Sequence, residues 1–250
     1  MTLGSLITRI RVIFNFAFDA ELLERPVRYG TSFNKPSRKV IRKSKKRNGK
    51  RMLEADELRK IINAAGQPLR AMTLLAINGG FGNNDVGSLP QAAVNLENRW
   101  IDYPRPETGI ERRCPLWPET VHALRDAAEK RPEPIANTVA GLMFLTRRGD
   151  CWVRCNHTEK KSWNDYVGLE FGKLLKKLNL KRPGLNFYAI RHTFQTVAEE
   201  SRDLPAVKHV MGHSDDSMSA VYRERISDEL LKAVTDTVHA WLWPKEELED

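Results

Sequence analysis

Residues 185–196 read LNFYAIRHTFQT and residues 207–226 read VKHVMGHSDDSMSAVYRERI. In the first stretch Asn186 is a good helix N-cap, and Ile190, Phe194 and Val197 recur at helical spacing, so a helix carries Arg191 and His192 beside an apolar stripe. Tyr188 and Arg191 are three residues apart and share a face of that helix. Alone, an Arg-His pair on such a helix reads more simply as an exposed ion-pairing face. The second stretch shifts the balance, because the Gly212-His213 pair stands nine residues ahead of Tyr222 in an otherwise polar segment.

The flanking sequence is mostly helical. Trp163, Val167, Phe171, Leu174, Leu175 and Leu178 form one apolar stripe, and Leu230, Leu231, Val234, Val238 and Trp241 form another. Helices are also expected over 54–65, with Gly66 as the stop, over 68–77, and over 118–130, which starts with proline in a first turn. NRWIDYPRPETGIERRCPL (98–116) reads as a β-hairpin around Glu107-Thr108-Gly109, and GLMFLT (141–146) as a short strand. The expected class is therefore mainly α with a small antiparallel β-sheet.

At the other end of the chain, 6–23 fits one amphipathic helix followed by a turn at Arg25-Pro26. Behind it lies KPSRKVIRKSKKRNGKR (35–51), which holds ten Lys or Arg and no Asp or Glu. Pro36, Ser37 and Asn48-Gly49 suggest a linker that tracks phosphates rather than a stable helix; a disordered self-repelling linker and a nuclear-localisation-type patch fit the same composition. The formal charge of +9 favours a polyanionic partner, nucleic acid or an anionic membrane surface. No run of eighteen apolar residues is present, and the three cysteines are too few for a disulfide framework, so a cytoplasmic protein is expected. Cys151, Cys155 and His157 are zinc-ligand types without an obvious fourth ligand, and idle thiols are the simpler reading.

Taken together, YAIRHTF, MGHS and VY resemble the C-terminal signature of the tyrosine recombinase (phage integrase) family, His-x-x-Arg-His-Thr, then Leu-Gly-His-Ser, then a tyrosine nine residues after that histidine. The likeness extends from about Met52 to Trp243, since EADELRKIINAAG is similar to the first helix of the catalytic domain and the hairpin to its β-hairpin. It implies a DNA breaking-rejoining catalytic core over 52–250, a basic linker over 35–51 and, over 1–34, the remnant of a core-binding helical domain that is mostly missing. It further implies double-stranded DNA as partner, nucleoid association when DNA is bound, self-association on DNA, and no metal or cofactor. Tyr222 would be the covalent nucleophile, with Arg191 and His213 as donors to the phosphate oxygens and Tyr188 at the first histidine of the box. Lys43, Lys45, Lys46 and Arg47 would contact DNA. The closing AWLWP either packs on a neighbouring protomer or caps its own core.

Three positions depart from the family pattern, the mildest being Tyr188 in place of the box's first histidine, since a phenol can still donate. In INGGFGNNDVGSLP (77–90), aligning Asp85 with the family's Glu leaves Gly82 where its first arginine stands, and loss of one such donor costs roughly 3 to 4 kcal/mol. The hairpin lysine is replaced by Glu107, whose carboxylate about 4 Å from a phosphate would repel it by a few kcal/mol; Arg105, on the same strand face, is the nearest substitute. A DNA-binding remnant unable to cut is thus the rival expectation. GGFGNND lacks a Walker lysine and follows a helical pattern, which argues against a nucleotide loop.

Overall fold

Helix α4 (Leu69–Gly79) is buried along its whole length apart from Arg70, which explains why its sequence lacks an amphipathic period. This computed structural model describes residues 3–47, 51–155, 163–215 and 224–244. The chain splits into two units, residues 1–50 and 51–250. In the larger unit, α4 packs against α3 (Ala55–Ala64), α6 (Pro118–Glu129), α8 (Tyr166–Lys177), α9 (Tyr188–Ala198) and α11 (Asp228–Leu242). Each Leu, Ile or Phe buried there contributes about 1.5 to 3 kcal/mol relative to exposure.

Local chemistry fixes where these helices begin. The Glu57 carboxylate accepts from the Glu54 backbone N–H at 3.0 Å, Asp165 accepts from Gly168 N–H at 2.8 Å, and Pro118 occupies the first turn of α6. Asp203 caps α10 (Leu204–Met211) by accepting from Ala206 N–H at 3.0 Å. A fully buried amide ties α4 to the next elements: Asn78 Nδ2 donates to the Pro115 carbonyl at 2.8 Å, and its Oδ1 accepts from Trp117 N–H at 2.9 Å.

The expected hairpin is present. Strands β1 (Val94–Asn95), β2 (Trp100–Asp102) and β3 (Arg113–Pro115) form an antiparallel sheet in that order, with Ile101 opposite Val94 and Cys114. Past the ladder, Tyr103 N–H donates to Arg112 O and Arg105 N–H to Ile110 O, and Gly109 turns the chain at φ +68°. Three expectations are corrected. GLMFLT forms no strand, only an isolated bridge from Leu142 to Pro90. Trp163 belongs not to the helical stripe but to a second small antiparallel pair, β4 (Val153–Cys155) with β5 (Trp163–Asp165). Leu230 is exposed, because the buried face of α11 runs through Leu231, Val234, Val238 and Leu242.

Trp243 meets the Trp117 ring edge-on at 5.7 Å, and Trp241 packs against the core, so AWLWP covers its own unit. Short helices α5 (Asn83–Gly87) and α7 (Asn137–Ala140) complete this unit. Among the described residues no helix is long and apolar enough to cross a membrane.

In the smaller unit α1 spans Leu3–Asp19, starting and ending earlier than the 6–23 expectation. Arg11 donates to Phe33 O at 2.7 Å and to Asn34 Oδ1 at 3.1 Å, and its guanidinium lies 5.1 Å from the Tyr29 ring centroid. The basic segment corrects the linker expectation, since Arg38–Arg47 is helix α2. Pro36 and Ser37 flank that helix rather than interrupt it: Ser37 Oγ accepts from Val40 N–H at 3.4 Å, and straight-chain Lys and Arg are good helix formers.

Candidate active site

Four charged side chains are buried among the described residues, Asp85, Arg105, Arg112 and Arg191, and they converge on one place. Helix α9 delivers Arg191. Its N-terminus is fixed by Asn186, whose Oδ1 accepts from Ala189 N–H at 3.1 Å as the sequence suggested. One turn further in, Arg191 is only 1% exposed. It donates from Nη2 to the Met211 carbonyl at 2.9 Å and from Nη1 to the Gly80 carbonyl. Both acceptors lie at helix C-terminal ends, those of α10 and α4, where left-handed glycines turn the chain: Gly212 at φ +64° and Gly80 at φ +68°. Cations are favoured at such ends, so the backbone itself seats the guanidinium. Its Nε has no partner. Burial first, then the neighbouring Arg105, pulls its pKa down to about 10, which leaves it charged at neutral pH.

Asp85, on α5, is the one buried carboxylate among the described residues. Its Oδ2 accepts from Gly82 N–H at 2.7 Å and from Arg112 Nη1 at 3.2 Å, and lies 3.6 Å from Arg191 Nη1. The Arg112 side chain is fully buried, with its guanidinium carbon 3.8 Å from the Phe81 ring centroid and its Nε donating to Tyr103 O at 3.1 Å. Its Nη2 is unpartnered. Sequence reading missed Arg112. The available signal was alternation: in Glu111-Arg112-Arg113 one arginine of a hairpin strand has to face inward, and Arg113 instead reaches Asp102 and Asp228.

Arg105 is 8% exposed, pairs through Nη2 with Glu107, and keeps an unpartnered Nε. Glu107, expected as a departure that repels phosphate, is thus the partner of the arginine expected to compensate for it. His213 follows the glycine end of α10 and is half-buried; burial first, then Arg191 and Arg105, depress its pKa to about 4. At neutral pH it is an uncharged imidazole. With Arg105, Thr108, Gln195, Lys208 and Ser214 it lines an open cavity of about 380 Å³.

Tyr188 stands at the start of α9, edge-on to His192 with centroids 5.2 Å apart, and a Cβ on Gly82 would meet its ring at 3.4 Å. Gly82 therefore borders the cluster. Tyr222 lies outside the described residues. Lys43 is exposed on α2, and Lys45, Lys46 and Arg47 continue the same helix of the smaller unit. Among the described residues no three His, Cys, Asp or Glu side chains gather; Cys155 ends β4, and His157 lies outside the described residues. Cys114 is buried, with its thiol pushed up to about 12, and is inert as a nucleophile.

What the arrangement can do follows from its charge. Arg112 and Arg191 face one buried carboxylate and Arg105 pairs with Glu107, which leaves positive charge in excess and buried unpartnered N–H groups, with Arg105 lining the solvent-open cavity. Buried guanidinium groups in excess are costly unless an anion joins them. Planar donor forks suit a phosphodiester.

Comparisons with known proteins bear on this directly. A family model described as the phage integrase family matches residues 51–228. No curated protein matches. Among solved structures, the Tn1549 transposon integrase in complex with a circular intermediate DNA is 16% identical, with a TM-score of 0.62 over 92% of this chain and 77% of that one. XerA recombinase is 16% identical, with a TM-score of 0.53 over 93% and 75%. A lambda integrase dimer bound to a COC′ core site is 17% identical, with a TM-score of 0.57 over 90% and 75%. At these identities the likeness is one of fold.

Proposed function

Since the chain belongs to the phage integrase family, we propose that it is a site-specific DNA recombinase that cuts and rejoins duplex DNA through Tyr222. The phenol oxygen attacks a backbone phosphorus, a 3′-phosphotyrosyl bond forms, and the bond to the 5′-oxygen breaks. The phenol gives up its proton and the departing 5′-oxygen takes one. A 5′-hydroxyl of a partner strand then reverses the step, so the phosphodiester energy is kept in the protein link and no ATP is consumed. Catalysis of this kind rests on positioning and on donors aimed at the charged phosphoryl oxygens.

The observation that carries this reading is Arg191, seated between two helix ends with its Nε unpartnered, beside uncharged His213 on an open cavity. Arg191 is the fork-shaped clamp and His213 the second donor. Tyr188 can donate through its phenol, and Arg105 covers part of the role of the absent hairpin lysine. The basic helix α2, with Lys43, Lys45, Lys46 and Arg47, supplies phosphate contacts, and the protein works on DNA in the nucleoid, with self-association there.

A nicked suicide duplex carrying the recognition site is expected to trap a covalent protein–DNA adduct, and Tyr222→Phe to abolish it while leaving duplex affinity intact. A second reading, a DNA-binding remnant that no longer cuts, is favoured by one observation: Glu107 occupies Arg105. Wild type that binds duplex with steep salt dependence yet forms no adduct establishes the remnant reading. Wild type that binds no duplex at low salt sinks both.

A further inference from the structure

Gly82 leaves a gap in the family's set of arginines, and the structure places another arginine next to that gap from a different element. Arg112 comes from the hairpin rather than from the α4–α5 turn. Its Nη1 and the Gly82 N–H share a single acceptor atom, Asp85 Oδ2, at 3.2 and 2.7 Å. The guanidinium is stacked on Phe81, the residue before Gly82, at 3.8 Å. A Cβ built on Gly212 would lie 3.0 Å from the Arg105 Cβ and 3.5 Å from the Arg112 Cβ, so the two hairpin arginines converge beside the glycine that precedes His213. Arg112 Nη2 has no partner although the side chain is fully buried.

The Asp85 carboxylate has two cations within reach, and how it divides between them matters. Arg112 holds it at hydrogen-bonding distance, whereas Arg191 stays at 3.6 Å and spends its Nη donors on carbonyls. Without Arg112, that buried carboxylate has Arg191 as its nearest counter-ion, and the clamp would be neutralised by its own neighbour.

We propose that Arg112 stands in for the arginine absent at position 82, holding Asp85 away from Arg191 and adding a second buried positive charge at the phosphate site. It is a positioning residue: fully buried, it acts through Asp85 and through its field, and does not touch the substrate. The inference rests on reading this cluster as a phosphate site.

The test exchanges the two positions in the full chain. Gly82 has extended backbone, φ −86° and ψ 179°, and a Cβ there would meet Tyr188 and Asp85 at 3.4 and 3.5 Å, ordinary contact distances, so a side chain can start from this position without backbone strain. Two readouts are taken on wild type, Arg112→Gln and Arg112→Gln/Gly82→Arg: inorganic phosphate affinity, followed by the NMR shift of the His213 ring, and adduct rate on the nicked duplex. Arg112→Gln is expected to weaken phosphate binding and to slow adduct formation at least about tenfold each, the scale of coupling between neighbours in one salt-bridge network. The double variant is expected to recover each to within about fivefold of wild type.

A merely structural Arg112 would lower the melting temperature and leave phosphate affinity unchanged in folded protein, which overturns the proposal. Failure of Gly82→Arg to recover phosphate affinity, or to recover folding where Arg112→Gln alone does not fold, overturns it too, as does a wild type that binds no phosphate at His213. If phosphate binding follows the expected pattern but wild type forms no adduct, strand cleavage by Tyr222 is what fails, and the role of Arg112 stands.

Discussion

Replacing Arg191 with lysine separates the seat that the structure shows for this side chain from the clamp proposed for it. The guanidinium makes two charge-assisted hydrogen bonds to buried carbonyls, Gly80 O and Met211 O, from two different nitrogens. A single ammonium on a shorter donor set retains the charge and keeps one of them. Hydrogen bonds to charged groups contribute about 1.5 to 3 kcal/mol each, so Arg191→Lys should cost roughly that much stability. Its catalytic cost is separate. Lysine cannot offer the Nε face of the fork to a phosphate while holding a helix end, so one preorganised donor is lost, worth about 2.7 to 4 kcal/mol or a hundred- to thousandfold in rate. Urea denaturation of the full chain measures the first quantity, and adduct formation on the nicked duplex, at a temperature where the variant is folded, measures the second. An adduct rate within threefold of wild type would refute the clamp. A stability loss well below 1 kcal/mol would refute the seat between α4 and α10.

Two further predictions follow from charge. His213 is held near 4 against an ordinary value of 6.5, and His192 and His209 are also lowered, in each case mainly by burial. The unfolded chain therefore binds more protons than the folded one between these values, and stability should fall as pH drops from about 6.5 towards 4, measured as the urea midpoint at a series of pH values. His213→Gln should flatten that fall; an unchanged profile counts against the burial of His213. On the smaller unit, neutralising Lys43, Lys45, Lys46 and Arg47 should reduce the slope of log affinity against log salt by as much as about 3.6 if all four meet phosphates, without altering sequence preference. An unchanged slope removes α2 from the DNA contact.

Much of the fold was legible because amphipathic helices carry a period. Leu58, Ile61 and Ile62 mark α3, and Val167, Phe171, Leu174 and Leu175 mark α8, through the burial that structure confers on them. Short strands carry no such period. Val153–Cys155 and Trp163–Asp165 are three residues each, too few for alternation to register, and Trp163 fell by coincidence at helical distance from Val167. Helix α2 is hard to read from sequence because its dense charge hides the helix propensity of Lys and Arg, and because Ser37 looks like a break although it caps the helix. At the site, residue types at a fixed spacing single out Arg191 and His213 in the sequence, since both come from one continuous stretch, and the structure places one at the buried cluster and the other on the adjoining cavity. Arg112 was invisible for the opposite reason: its partners, Asp85, Phe81 and Tyr103, come from separate parts of the chain, and only folding brings them together.

The seat of Arg191 has a bearing on how this chain can vary over time. Its two anchoring atoms are main-chain oxygens, at Gly80 and Met211, and no codon change can delete a carbonyl. What holds the clamp is the path of two helices into their glycine ends, which many sequences can encode. Side chains around it, Gly82 and Glu107 among them, are then freer to vary while the guanidinium keeps its address. Mutational damage to this centre should accordingly concentrate at Gly80 and Gly212, where the path is set, more than at the polar residues that line the opening.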